Sequence, residues 1–215
     1  FVYSPMNQLN FAVDWWEIER ENTIRSAPRD ILIRYYDLFQ DNWIRDTNGE
    51  VVAIDRRYIN SGGSLMRGVE LDANLTGELA GGQWRVNLNG SYIDQFQTKA
   101  LESLPYSADL VDRYVRYFNL PIRWKHTLNF GYTRGNWSHS LSQIHRDGYE
   151  DEPPASVANG SFIPANWKPR VDGYTTYSYS VTWTGIKDLK LGFGIKNLLD
   201  KDPPFTAHMN DFAAG

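Results

Sequence analysis

The 215-residue chain contains no cysteine. That excludes disulfide frameworks, zinc–thiolate sites and cysteine nucleophiles together. There is no run of about eighteen apolar residues, so no stretch reads as a membrane-spanning helix. There is no basic excess either. The 22 Lys and Arg against 26 Asp and Glu leave a net charge of −4, which argues against a nucleic-acid partner. Mean hydropathy is low, at −0.52. A strand-built membrane protein tolerates that, because only alternate residues of each strand need face lipid. What the chain has in abundance is aromatic side chains, with 8 Trp, 13 Tyr and 10 Phe. The chain opens on Phe1-Val2-Tyr3-Ser4-Pro5 and stops at Ala213-Ala214-Gly215 just after a loop. It therefore reads as part of a longer chain, and the lack of a leader says nothing about export.

The clearest pattern lies between Tyr174 and Phe205. Tyr177, Tyr179, Val181 and Trp183 alternate with Thr176, Ser178, Ser180, Thr182 and Thr184. After a turn at Gly185-Ile186-Lys187-Asp188, Leu189, Leu191, Phe193 and Ile195 alternate with Lys190, Gly192, Gly194 and Lys196. Period-two alternation predicts strands with one apolar and one polar face. Seven strands are readable in this way, over 9–19, 64–78, 83–94, 122–133, 137–147, 174–184 and 189–198. Phe1–Tyr3 reads as the tail of a further strand, followed by a turn at Ser4–Gln8. A short helix starting near Ser26-Ala27-Pro28 would carry Leu32, Tyr35, Tyr36 and Phe39; local packing within a loop is the competing reading. Thr47-Asn48-Gly49-Glu50 marks a small hairpin between Trp43–Arg45 and Val51–Ile54.

Connections between the strands alternate between about four residues and more than about twenty, whereas compact soluble domains seldom carry unstructured loops beyond roughly 12–15 residues. Strands of about ten residues suit a tilted crossing of the hydrocarbon, and a sandwich strand is usually nearer five or six. The expected fold is all-β: the C-terminal portion of a transmembrane antiparallel up-and-down β-barrel, with long extracellular loops and short periplasmic turns. Trp84, Tyr92, Trp124, Tyr132, Tyr179, Trp183, Leu191 and Phe193 are the expected lipid-facing or girdle residues. On this orientation Gly185–Asp188 lies at the periplasmic end and Asn197–Phe205 at the outer end.

Two motifs carry a family resemblance. Ile59-Asn60-Ser61-Gly62-Gly63 followed by Arg67-Gly68-Val69-Glu70-Leu71 resembles the N-x-G step and R-G-V/I-E/D strand of TonB-dependent outer-membrane receptors. Gly194-Ile195-Lys196-Asn197-Leu198-Leu199-Asp200-Lys201-Asp202-Pro203-Pro204-Phe205 resembles the family's G-V-x-N-L-x-D-x-x-P-P segment before the closing strand. The resemblance implies a barrel of 22 strands with an N-terminal plug. Residues 1–215 would be a piece of that barrel, with the plug domain and the final strand outside the chain. It also implies bacterial outer-membrane location and energised uptake of a scarce ligand: siderophore-bound iron, a cobalamin-like compound, a glycan or a peptide. The implied partners are the TonB complex, reached through the plug and its TonB box, outer-membrane lipid, the ligand, and other outer-membrane or surface proteins. A passive porin or structural barrel is the alternative, and a soluble carbohydrate-binding β-sandwich a third reading.

No Ser/His/Asp set has positional support, so the expectation is a non-enzyme without catalytic residues, cofactor or metal. His139 and His145 share strand parity but lie roughly 20 Å apart along an extended chain, too far for one metal. Asp147, Glu150, Asp151 and Glu152 lack the spacing of a calcium loop and read as a solvated acidic loop. The candidate ligand contacts pair an aromatic face with an arginine: Trp43 with Arg45, Tyr114 with Arg116 and Tyr117, and Trp167 with Arg170. Loop aromatics that simply pack on neighbouring loops are the competing account of each.

Overall fold

A computed structural model describes residues 1–26, 29–114, 120–163, 165 and 167–206. In chain order the elements begin with β1 (Val2–Met6), β2 (Leu9–Arg20), β3 (Thr23–Ser26) and α1 (Arg29–Arg34). Next come β4 (Trp43–Arg45), β5 (Val51–Ile54), β6 (Tyr58–Ser61), β7 (Gly63–Leu79) and β8 (Gly82–Lys99). The rest are β9 (Trp124–Arg134), β10 (Trp137–Arg146), β11 (Tyr149–Glu150), α2 (Ala155–Ala158), β12 (Arg170–Val171), β13 (Tyr174–Ile186) and β14 (Leu189–Ile195). Eight of these form one sheet in the order β1-β2-β7-β8-β9-β10-β13-β14, an up-and-down meander. The strand pairs β3–β6, β4–β5 and β11–β12 form three small two-stranded sheets inside the long connections.

Four two-residue turns join the strands at one end of the meander, at Asn7-Gln8, Ala80-Gly81, Gly135-Asn136 and Lys187-Asp188. Ala80 and Gly81 both have positive φ (51° and 75°), the geometry that matches the twist of a hairpin. Connections at the other end run over residues 21–62, 100–123 and 147–173. This is the short-turn, long-loop rhythm read from the sequence.

Several boundaries differ from the sequence reading. Ser4-Pro5-Met6 is strand, not turn; β1 is the outermost strand of the sheet, where a proline costs no ladder hydrogen bond to a further neighbour. Strand β13 runs on through Gly185 and Ile186, and the turn shrinks to Lys187-Asp188 with Asp188 at φ 63°. Strand β8 continues five residues beyond 94, to Lys99. Strand β14 ends at Ile195, and the Asn-Leu-Leu-Asp segment leaves the sheet as a tight turn in which Asn197 accepts from Lys201 N–H and donates to its carbonyl, both at 3.1 Å. The helix does form, but only as the six residues of α1, followed by two 3₁₀ turns, so both readings of that stretch hold in part.

Two compact units emerge: residues 1–16, 67–94 and 111–215, and residues 17–66 with 95–110. The second is organised on Leu32, fully buried, and Phe39, with Ile31, Tyr35, Trp43, Ile54 and Leu101 packed against them. The first has almost no interior. Its buried hydrophobics among the described residues are Ile93, Val111, Ile122 and Val171, and none lies on β9, β10, β13 or β14. Phe193, Leu191, Trp137 and Phe130 are instead 62%, 53%, 50% and 43% exposed. An apolar face of this size, on strands this regular, requires an apolar solvent or partner.

The register shows how that face is built. Residues directly opposite in an antiparallel pair point to the same side. Trp84 pairs with Tyr132, and eight residues further along the same strands Tyr92 pairs with Trp124. Two aromatic rows therefore bracket a band about 27 Å long along the strand, or about 20 Å tall at a tilt of about 40°, close to the height of an outer-membrane apolar girdle. Trp183 lies opposite both Trp137 and Leu191, Val181 opposite Phe193, and Tyr179 opposite Leu141 and Ile195. All eight girdle candidates thus share one face. Glycines seat the indoles: a Cβ on Gly90 would run into the Trp124 ring, and one on Gly77 would meet Trp84 at 2.6 Å. Gly90→Val should evict Trp124 and cost about 1–3 kcal/mol through overpacking, measured as a fall in the urea midpoint of the membrane-inserted protein.

Candidate functional site: the polar face and the long connections

The opposite face is polar apart from Ile144 on β10, and the register orders it into rows. Ser91, Lys125, Arg146 and Tyr174 lie side by side on β8, β9, β10 and β13. The next rows are Asn89-Thr127-Ile144-Thr176 and Asn87-Asn129-Ser142-Ser178, then Arg85-Gly131-Ser140-Ser180-Gly194 and Gln83-Thr133-Ser138-Thr182-Gly192. Charge is concentrated at the loop end, and small hydroxyl, amide and glycine positions fill most of the remainder. On β7 and β8 a hydrogen-bonded ladder fixes the side chains. Asn74 donates to Asp72 and Asn87 to Asn74 (both 3.0 Å), Asn89 donates to Asp72, and Ser91 donates to Glu70 at 2.9 Å. A groove of about 610 Å³ opens on this face at its charged end, lined among others by Asp14, Glu70, Asp72, Lys125, Arg146 and Tyr174.

On the apolar face, near the loop end, a second polar set was invisible in the sequence. His126 lies directly opposite His145, and their ring centroids are 5.1 Å apart. The Trp124 indole donates to His126 Nδ1 at 2.8 Å; since an indole only donates, Nδ1 must accept and Nε2–H is left to donate to Gln143 Oε1 at 3.1 Å. Gln143 donates on to the Tyr177 hydroxyl at 2.7 Å. His145 contacts Thr175 Oγ1 at 2.7 Å and Asp147 Oδ1 at 3.1 Å. Counting outward equally from the Gly135-Asn136 turn reveals both this pair and the Lys125–Arg146 pair; comparing His139 with His145 on one strand misses them.

The ligand-contact candidates fare unevenly. Trp43 and Arg45 are brought together by Tyr36, which stacks edge-on against Trp43 at 5.4 Å and accepts from Arg45 Nη2 at 2.8 Å. Arg45 Nη1 also donates to the Gly49 carbonyl at 2.6 Å. The Trp43 indole Nε1 is buried and has no hydrogen-bond partner among the described residues. In the same connection, the Arg57 guanidinium bonded to Asp55 holds that carboxyl below its ordinary range. Tyr114 donates its backbone N–H to Glu150 at 2.8 Å, while Arg116 and Tyr117 lie outside the described residues. Trp167 is half-buried, and Arg170 spends Nη2 on the Gly148 carbonyl at 2.9 Å. The four acidic residues of the third connection do not converge. Asp147 meets His145, Glu150 pairs with Arg113 at 3.0 Å, and the buried Asp151 accepts from Thr206 Oγ1 at 2.8 Å and from the Glu152 backbone N–H at 3.0 Å. Burial holds the Tyr149 phenol beside them above its ordinary value, opposed by its hydrogen bond with Thr206. Among the described residues no group of three or more His, Asp or Glu side chains is placed to share a metal ion.

An up-and-down sheet with an aromatic-bordered apolar face, a polar opposite face and little interior is the wall of a membrane-spanning β-barrel. The chain belongs to the TonB dependent receptor-like β-barrel family, whose model matches residues 1–198. It is therefore an outer-membrane protein of a receptor and transporter family. No curated protein matches it by sequence. Among solved structures it is similar to the siderophore receptor PiuA of Acinetobacter baumannii, at 19% identity and a TM-score of 0.52 over 91% of this chain and 22% of that one. It is similar to the ferric-catecholate import receptor Fiu of E. coli K12, at 13% identity and a TM-score of 0.54 over 94% and 22%. The FrpB iron transporter of Neisseria meningitidis gives 14% identity and a TM-score of 0.55 over 94% and 26%. The chain thus spans about a quarter of the length of these proteins. The open eight-stranded sheet corresponds to part of their barrels.

Proposed function

We propose that this chain is the C-terminal part of the barrel of a TonB-dependent transporter that takes up a siderophore-type iron chelate across the outer membrane. The match of the family model over residues 1–198 carries the reading. The named iron and siderophore receptors among the similar structures support the choice of ligand class. On this reading the face of Trp84, Tyr92, Trp124, Tyr132, Tyr179, Trp183, Leu191 and Phe193 contacts lipid, and the Ser, Thr, Asn and Gly rows line the lumen. The plug and its TonB box belong to the segment of the protein upstream of Phe1. Trp43, Tyr36 and Arg45 form the loop contact best organised for a planar anionic ligand, because aromatic faces and a guanidinium converge there. Tyr114, Arg116, Tyr117, Trp167 and Arg170 remain secondary contacts in the other two loops.

Uptake of iron-55 presented on a panel of siderophores should fall to background in a deletion strain and return with the intact gene. The regained uptake should vanish when the inner-membrane proton gradient is collapsed. Uptake that persists without the gradient points to a passive porin. Uptake of a glycan or peptide in place of iron keeps the transport reading and changes the ligand.

A further inference from the structure

Among the described residues, the buried hydrophobics of the first compact unit belong to segments that are hydrogen-bonded to one another. Val111 and Ile122 lie in the connection between β8 and β9, and Val171 in the one between β10 and β13. Ile93 ends the set on β8, where its N–H donates to the Arg123 carbonyl at 2.8 Å. The two connections are cross-linked. Arg113 forms a parallel bridge with Glu150. Tyr114 N–H donates to the Glu150 carbonyl at 2.8 Å, and Glu150 N–H donates to the Asp112 carbonyl at 2.7 Å. The Arg113–Glu150 ion pair adds little, since both side chains are more than half exposed. Backbone hydrogen bonds make the link.

On its other flank the same segment pairs through β11 and β12, Tyr149 with Val171 and Glu150 with Arg170. Asp151 N–H donates to the Pro169 carbonyl at 2.9 Å. Residues 149–151 are thus the middle strand between 112–114 and 169–171. Thr206, beyond β14, pins that strand by donating to the buried Asp151 carboxylate at 2.8 Å. Asp112 is the most constrained point. Its φ of 57° lies in the left-handed region, which a residue with a side chain occupies at a cost. Three contacts hold it there. Its N–H donates to the Pro121 carbonyl at 2.8 Å, its carbonyl accepts from Glu150, and its carboxylate accepts the Arg123 N–H at 2.8 Å. One residue therefore closes the base of its own connection and joins it to the other.

We propose that the two connections form a single cooperative clasp, with residues 149–151 as the shared strand and Asp112 as a strained latch, so that local opening of one opens the other. Tyr114 lies on one flank of the shared strand and Arg170 on the other, so these two candidate contacts are presented to a solute together. That consequence for ligand contact rests on the uptake reading; the clasp does not.

The test follows hydrogen exchange in the intact protein in detergent micelles, at urea concentrations below those that unfold the sheet. In the wild type the amides of Asp112, Tyr114, Glu150 and Asp151 should converge on one opening with one urea dependence. Separate dependences for the two connections overturn the clasp. Gly148→Ala perturbs it from the far flank, because a Cβ there would lie 2.2 Å from the Val171 carbonyl oxygen. Exchange at Asp112 and Tyr114, in the other connection, should then speed up at least about tenfold. Asp112→Ala should speed exchange at Asp151 by a similar factor. Asp112→Asn keeps an acceptor and tolerates the left-handed region, so it should leave that exchange slow. A variant whose effect stays within its own connection overturns the proposal. Converging exchange in a protein without energised uptake overturns the transport reading and leaves the clasp standing.

Discussion

Replacing Leu88 with arginine should lower the unfolding free energy of the membrane-inserted protein by about 2–4 kcal/mol, the cost of a cation at the bilayer midplane on a lipid-facing strand. Leu88 is the position for this test because it lies midway between Trp84 and Tyr92, and its cross-strand partner Leu128 lies midway between Tyr132 and Trp124. The two aromatic rows put both leucines at the centre of the apolar band. Asn129→Arg is one residue along β9 from Leu128 but on the other face, in the row of Asn87 and Ser142. It should cost little, because that face already carries Lys125, Arg146 and Arg85 among its rows. Urea titration in lipid vesicles reads both. Equal penalties would mean that the two faces do not meet different solvents.

Leu32→Ala should be the most damaging change in the long connection between β2 and β7. Leu32 is fully buried, and everything packed on the small core it shares with Phe39 belongs to the second compact unit. Truncating a buried leucine costs about 2–5 kcal/mol, and a core of a few side chains has little in reserve. Hydrogen exchange should show protection lost across residues 31–54, including the β4–β5 hairpin, while β9, β10 and β13 keep theirs. Order in the Trp43–Tyr36–Arg45 cluster depends on that core, since Trp43 packs against it. If the protein is the iron-chelate transporter proposed above, its uptake should fall with the loop rather than with the barrel. Loss of protection in both units at once would show a single cooperative structure.

The parts of this fold that could be read from the chain are those with a physical period. Strands β2, β7, β9, β13 and β14 announce themselves because one face is largely apolar, and β10 shows a weaker alternation carried by Trp137 and Leu141 against its serines. The second half of strand β1, Ser4-Pro5-Met6, was hidden by Pro5, a residue that ordinarily argues against a strand and is tolerated here at an edge. The last turns of β8, Gln95-Phe96-Gln97-Thr98-Lys99, lack a sustained apolar alternation, so the pattern faded before the strand did. Strands β3, β6, β11 and β12 are two to four residues long, too short for any period to register. The candidate site divides in the same way. Trp43 and Arg45 could be paired because they are two residues apart, yet Tyr36, which joins them, is reached only through the fold. Lys125 with Arg146, and His126 with His145, are 21 and 19 residues apart. They become neighbours only once the two-residue turn fixes the register.

The claim on which the rest depends is that this sheet is a barrel wall with lipid on one side and a polar lumen on the other. The 215 residues contain no cysteine, so with any cysteine elsewhere in the protein replaced by serine, single cysteines can be introduced along β10 and β13 and reacted in intact outer membranes with a membrane-impermeant maleimide. At Ser138, Ser140, Ser142, Ser178, Ser180 and Thr182 labelling should be high, or should become high once the lumen is opened with denaturant short of unfolding the barrel. At Leu141, Val181 and Trp183 it should stay low in both conditions, with the phase set by the register that pairs Leu141 with Tyr179 and Ser140 with Ser180. A strict two-residue alternation is the predicted result. Labelling that is uniform along either strand, or that favours the Leu141–Val181 face, would contradict the account.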